Sequence, residues 1–461
     1  MPDQPAGGGG RPTENPPSKR PVRRRARRAA LSVVRPLAAF LQTETAGGAV
    51  LLAAAAVALL WANSPWQRSY ETMWHTQVTL GAGTFTISED LRHWVNDGLM
   101  ALFFFVVGVE IKRELVTGEL RERQAAALPV LAALGGMLVP ALLYLALNSS
   151  GPEARGWGIP MATDIAFAIG LLSISLIPIA PGLKAFLLAL AIVDDIGAIV
   201  VIALFYTGGI SPRWLGVAVG LLVVILVMLR LEVRWTPVYV LLGLGVWLAT
   251  YESGVHATIA GVALGLITPA RPLERPRTVS EEAHRIANET DDDPVPADVD
   301  AHLWLRLARL SRQAISPLAR LETLLHPWTS FVVIPLFALA NAGITLSGSL
   351  IADAAGSSVA YGVILGLVLG KPVGIALGAW VGTRMGVARL PQGIDWRDIK
   401  SVGVVGGVGF TVSLFISNLA FASAEQRDAA TLGILVGSLL AGGIGWVLLS
   451  FWRRKESGKR A

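Results

Sequence analysis

The most constraining feature of this chain is a recurrence. Uncharged apolar blocks of roughly 17–25 residues, the length a helix needs to cross a bilayer core of about 30 Å, follow one another along its 461 residues. Short segments carrying Pro, Gly, Arg and Glu separate them. One such block could be a buried helix or a signal peptide, but a dozen cannot. The reading is an all-α polytopic membrane protein with twelve transmembrane helices. Composition agrees, since only 16% of residues are charged against about 25% in ordinary soluble proteins.

The spans fall near residues 38–62, 92–111, 125–147, 157–177, 183–206, 214–231, 236–251, 255–270, 328–345, 359–383, 400–421 and 429–451. An even count puts both termini on one side. Lys112, Arg113, Arg121, Arg123, Arg230, Arg234, Arg384, Arg389, Arg397 and Lys400 lie in connections on that side, as do the arginines of the long loop 271–326. Positive charge marks the cytoplasmic face. The expected organisation is a basic, disordered cytoplasmic tail over 1–36, a twelve-helix body over 37–452 and a basic tail over 453–461. The net charge of +6 thus sets topology and does not point to nucleic acid.

Two connections have character. TQVTLGAGTFTIS, residues 76–88, alternates apolar and polar positions around Gly-Ala-Gly and predicts an extracytoplasmic β-hairpin. Residues 272–300 are acidic and poor in aromatics, which predicts disorder, followed by an amphipathic stretch, HLWLRLARLSRQAI. The chain has no cysteine, and its six histidines show no metal-site spacing. No cofactor or structural metal is expected.

Few ionisable residues remain inside the spans: Asp97, Glu110, Asp164, Asp194, Asp195 and Lys371. Such groups face a bundle interior or a wet cavity and mark function. Residues 185–206 read AFLLALAIVDDIGAIVVIALFY, with Asp194 and Asp195 at the centre. On a helix these neighbours point about 100° apart. One should line a cavity while the other sits at its edge or pairs with a neighbouring helix. A carboxylate there takes a proton or a hard cation through the same oxygens, but not both, and that competition is an exchange mechanism.

Asp164 lies in GWGIPMATDIAFAIG, where Pro160 removes a backbone donor, so the helix should break near 162–164. A second glycine-rich segment, SVGVVGGVGFTVSLFI, stands near the far end. Interrupted spans in corresponding halves point to inverted repeats, here spans 3–5 and 10–12, with spans 4 and 11 broken and crossing. Half-helix ends at the membrane centre need neutralising charges. Asp164 suits the N-termini. Lys371, in LVLGKPVGIALG, suits the C-termini or pairs with Asp194, and the sequence does not separate these. Glu110 and Glu114 could form a charged cytoplasmic mouth or a solvated helix end. Glu322 and His326 share a helical face before span 9, where a histidine can sense pH. His256 reads as structural.

Together VDDIGAI, MATDIAFA, GVEIKREL, WVNDGLMA, SGVHATIAG, HPW…PLFALANAG, GKPVGI and GVGFTVSLFI resemble the NhaA-type Na⁺/H⁺ antiporters, in order, from about Leu37 to Trp452. The broken-helix repeat pattern is known in part from that family, so the two readings are not independent. The resemblance implies twelve helices in a bacterial plasma (inner) membrane, with both termini cytoplasmic. It also implies a homodimer assisted by the hairpin. Cytoplasmic Na⁺ or Li⁺ would exchange for external protons, electrogenically and with activation at alkaline pH. By motif, Asp195 would be the main cation ligand and Asp194 its partner, with Thr163 and Asp164 at the crossing and Lys371 compensating charge. Glu110, Glu114, Glu322 and His326 would serve the cytoplasmic mouth and pH response. The acidic insertion before span 9 has no counterpart in the pattern, and Thr323 stands where a histidine is frequent.

Other classes fit less well. A sodium-coupled symporter needs more Asn, Gln, Ser or Arg at mid-membrane. An intramembrane aspartyl protease needs its acids on separate, facing helices, in a GxGD setting absent here. A passive channel does not need broken helices around a titratable site.

Overall fold

The computed structural model describes residues 44–82, 85–164, 166–168, 181–233, 235–272, 276–291, 297–348, 352, 356–391 and 394–460. These residues are mostly helical, one of the two ways a chain can satisfy its backbone where lipid offers no hydrogen bonds. Helix α1 spans Glu44–Ala62, α2 Gln67–Trp74, α3 Met100–Val116, α4 Arg123–Leu147 and α5 Pro181–Phe205. Helices α6 (Pro212–Arg230), α7 (Thr236–Glu252) and α8 (Thr258–Ile267) follow. By length and composition, six helices among the described residues can cross a membrane, or up to eight if each of two bent pairs is one span.

The hairpin is present. Strands β1 (Gln77–Ala82) and β2 (Phe85–Asp90) pair antiparallel, from Gln77 opposite Asp90 to Ala82 opposite Phe85. Its tip, residues 83–84, lies outside the described residues. The Thr79 and Ser88 hydroxyls bond across it at 2.7 Å. Asp90 then accepts from the His93 N–H at 2.7 Å and starts the next helix.

The segment expected to be disordered is helical where it is described. Helices α9 (Pro276–Asp291) and α10 (Ala297–Ala314) pack against each other. The acidic composition conceals a seam: Val279 and Ile286, seven apart on α9, are buried, and Leu303, Leu307 and Leu310 on α10 are partly buried at helical spacing. Glu282 bonds Arg285 on its own helix at 2.6 Å and reaches Arg306 of α10 at 3.2 Å.

Helix α11 (Pro317–Trp328) leads through a π-helical turn, Thr329–Val333, into α12 (Ile334–Asn341). Next come α13 (Ser358–Leu365), a π-helical turn at Gly366–Gly370, and α14 (Lys371–Arg384). The set closes with α15 (Trp396–Val405), α16 (Phe410–Ala420) and α17 (Ala424–Arg460), so the C-terminal basic stretch continues a helix. Residues 1–43, including the basic tail, lie outside the described residues.

Helices α4 and α14 pack most extensively, and glycine decides how closely. A Cβ on Gly135 would stand 2.1 Å from the Gly374 carbonyl oxygen, and one on Gly374 2.2 Å from that of Gly135. Small residues at a crossing let helix backbones touch where lipid supplies no hydrophobic drive. That contact brings the start of α14, and with it Lys371, against α4.

Candidate functional site

Both expected breaks are present. A 3₁₀ stretch, Pro152–Met161, ends at extended Ala162, and helix resumes only over 166–168. The rest of span 4, residues 169–177, lies outside the described residues. Helices α15 and α16 meet at a 50° bend over Gly406–Gly409. The two breaks are bonded to each other. The Asp164 N–H donates to the Val408 carbonyl at 2.7 Å, and the Thr163 hydroxyl lies 3.1 Å from the Gly406 carbonyl. Ser413 on α16 donates to the Ile159 carbonyl at 2.8 Å.

Each interruption exposes backbone groups that need charged partners. Asp164 serves the donors. Its Oδ1 accepts from the Phe167 N–H at 2.9 Å, and its Oδ2 accepts from the Thr411 N–H at 3.0 Å and the Thr411 hydroxyl at 2.6 Å. One carboxylate thus caps the first helical turn after the span 4 break and the start of α16. Lys371 serves the acceptors, and its Nζ donates to the Met161 carbonyl at the end of the 3₁₀ stretch.

Lys371 also pairs with Asp194, its Nζ lying 2.8 Å from Oδ2. The sequence left pairing and helix-end compensation as alternatives, and the side chain does both. Asp194 Oδ2 further accepts from the Thr163 hydroxyl at 2.7 Å. Lys371, Asp194, Thr163 and Asp164 are all buried. Removing one partner of such a pair leaves a buried charge, at a cost of about 3–5 kcal/mol.

The neighbouring aspartates therefore differ. Asp194 is held through Oδ2, while its Oδ1 is buried without a hydrogen-bond partner. The Asp195 carboxylate, 6% exposed, makes no hydrogen bond or ion pair with the described residues. Asp194, Glu110 and Asp164 act on it as like charges and Lys371 as an opposing one. Two buried carboxylates with free oxygens, in a locally negative setting, suit a hard cation or a proton. Asp164 differs from both, since each of its oxygens already accepts hydrogen bonds from a helix start.

Glu110, Glu114, Glu322 and His326 do not form one cluster. Glu322 on α11 forms an ion pair with Arg113 of α3, not with His326, which is exposed. Glu114 is buried and accepts from the Glu119 N–H at 2.9 Å, its carboxylate lying where a Cβ on Gly118 would stand. Glu110 is partly buried, on the same helix and closer to the aspartates in its electrostatic action. Asp97 pairs with His93 at 2.9 Å, and His256 Nε2 lies 2.6 Å from the Tyr206 carbonyl, a structural contact.

Sequence reasoning missed Thr411, Ser413 and the pairing of Arg113 with Glu322. Thr411 follows directly on the GVGF interruption, a position where a hydroxyl can serve a new helix start, and that was its available signal. The π-helical turn that delivers Lys371 had none.

The family model described as Na+/H+ antiporter 1 matches residues 38–449. Among curated relatives, the Na(+)/H(+) antiporter NhaA 2 of Sorangium cellulosum is 48% identical over 420 residues, covering 90% of each chain. The Na(+)/H(+) antiporter NhaA of Rhodopirellula baltica is 46% identical over 417 residues, covering 90% of this chain and 94% of that one. That of Cupriavidus necator is 41% identical over 435 residues, with 92% of each covered.

Proposed function

The chain belongs to the Na⁺/H⁺ antiporter 1 family, and from that premise we propose that it exchanges Na⁺ for protons at Asp194 and Asp195. The observation that carries this reading is the asymmetry of the pair. Asp194 is anchored by Lys371 and Thr163 with one oxygen free, and Asp195 is unanchored. Asp195 is the main cation ligand. Na⁺ displaces its proton and draws on the free Asp194 oxygen, and a returning proton expels the ion.

Binding the cation weakens the hold of Asp194 on Lys371, which can then give up a proton of its own. More protons than cations move per cycle, which makes the exchange electrogenic. Li⁺, also a hard cation, is carried at the same oxygens. Asp164 and Lys371 keep the broken spans 4 and 11 crossed while access alternates. The architecture is the twelve-helix body over 37–452, with inverted repeats in spans 3–5 and 10–12. It works as a homodimer in a bacterial inner membrane, both termini cytoplasmic. Glu110, Glu114, Glu322 and His326 form the cytoplasmic mouth and its response to alkaline pH.

Competition predicts proton release on binding. Adding Na⁺ to purified protein in weak buffer should acidify the solution, and Asp195→Asn should abolish the signal. Sodium binding that releases no proton would exclude a shared site.

A further inference from the structure

Helix α10 presents two different faces. Leu303, Leu307 and Leu310 turn to α9, while Trp304 and Leu305 stand 50% and 59% exposed. Beside them Leu305, Ala308, Arg309 and Arg312 line a cleft of about 320 Å³. Arg306 is engaged by Glu282, but Arg309 and Arg312 make no ion pair or hydrogen bond with the described residues. No acidic residue occurs between positions 301 and 321. An aromatic and a leucine beside two free guanidinium groups form a face suited to the boundary of an anionic bilayer, where apolar side chains dip into acyl chains and arginines meet phosphates.

The position of α10 favours that occupant. It ends at Ala314, two residues before the Ser316 cap of α11. The start of α11 is pinned to the end of apolar α8 by the Leu318 N–H, which donates to the Pro269 carbonyl at 3.1 Å. Farther along, Glu322 ties α11 to the end of α3 through Arg113. The C-terminus of α10 is thus held at the level where apolar helices end.

We infer that the α9–α10 hairpin is a membrane-surface arm whose outer face binds acidic phospholipid headgroups through Arg309 and Arg312, with Trp304 and Leu305 inserted beneath them. The arm continues into α11, which carries Glu322. The inference rests on the chain's lying in a bilayer, not on which ions it exchanges.

The chain contains no cysteine, so Ala308→Cys supplies a single attachment point for a nitroxide. The full-length protein is reconstituted in phosphatidylcholine vesicles with or without phosphatidylglycerol, and collision with oxygen is compared with collision with a water-soluble nickel reagent. The oxygen-to-nickel ratio at the Ala308 position should rise with phosphatidylglycerol. It should fall back at high salt and in the Arg309→Gln/Arg312→Gln variant, while a probe at Glu281→Cys on α9 stays aqueous throughout. A probe at the Ala308 position that remains aqueous in both vesicles, in protein that still melts cooperatively, overturns the inference. So does immersion that survives loss of both arginines. Dipolar broadening between labels would show a second copy covering the face instead.

Discussion

The crossing of the two helix breaks and the proposed mouth at Glu322 and Arg113 both gather charge, but they hold it differently. At the crossing, Asp164 and Lys371 are bonded to the backbone ends of broken helices and are fully enclosed. At the mouth, Glu322 and Arg113 meet side chain to side chain, with 16% and 38% of their side chains exposed. A charge with no water to fall back on must be matched by structure, whereas a half-exposed pair is matched mostly by solvent. The crossing should therefore govern integrity and chemistry together, and the mouth should tune the rate.

Substitutions can break that contrast, beginning with the most severe. Asp164→Ala removes the acceptor for three donors at once and should cost about 1–3 kcal/mol for each donor left unsatisfied, seen as a large fall in melting temperature in detergent. Asp164→Asn keeps one acceptor oxygen and should cost visibly less. Equal losses would mean that the charge, and not the caps, matters. Lys371→Ala should destabilise nearly as much by stranding Asp194. In the double variant with Asp194→Ala the two effects should fall short of additivity by about 0.5–3 kcal/mol, and additive melting shifts would dissolve the pair. Gly374→Val, which drives a side chain into the Gly135 carbonyl, should cost about 1–3 kcal/mol and weaken exchange by displacing Lys371. At the mouth, Glu322→Gln should change stability by less than about 1 kcal/mol, while altering the pH dependence of transport. A melting shift there as large as at Asp164 would erase the distinction.

Much of the crossing was legible in the chain because membranes make charge conspicuous. Asp164, Asp194, Asp195 and Lys371 stand out of apolar runs, and Pro160 and the run of glycines at 403–409 mark the breaks beside them. Pairings were not legible. Nothing in the composition says that Lys371 bonds Met161 and Asp194 together, because that depends on the π-helical turn before it and on the approach of α4 and α14. Thr411 was hidden for another reason, since a threonine in an apolar run is ordinary until the helix it starts is seen. Helix α9 was misread because acidic composition was weighed over the seven-residue spacing of Val279 and Ile286, whereas α10 follows the amphipathic pattern of HLWLRLARLSRQAI. At the mouth, i,i+4 spacing suggested Glu322 with His326, yet the ion pair runs between helices to Arg113.

The central claim is that Asp195, the unanchored member of the pair, carries the exchanged ion. The direct measurement is proton efflux from acid-loaded vesicles containing a trapped pH dye, on adding Na⁺ outside, for wild type and Asp195→Asn. The account predicts rapid Na⁺-driven alkalinisation for wild type and none for Asp195→Asn, with nearly equal melting temperatures because the Asp195 carboxylate bonds nothing among the described residues. Undiminished exchange in a well-folded Asp195→Asn protein would contradict it.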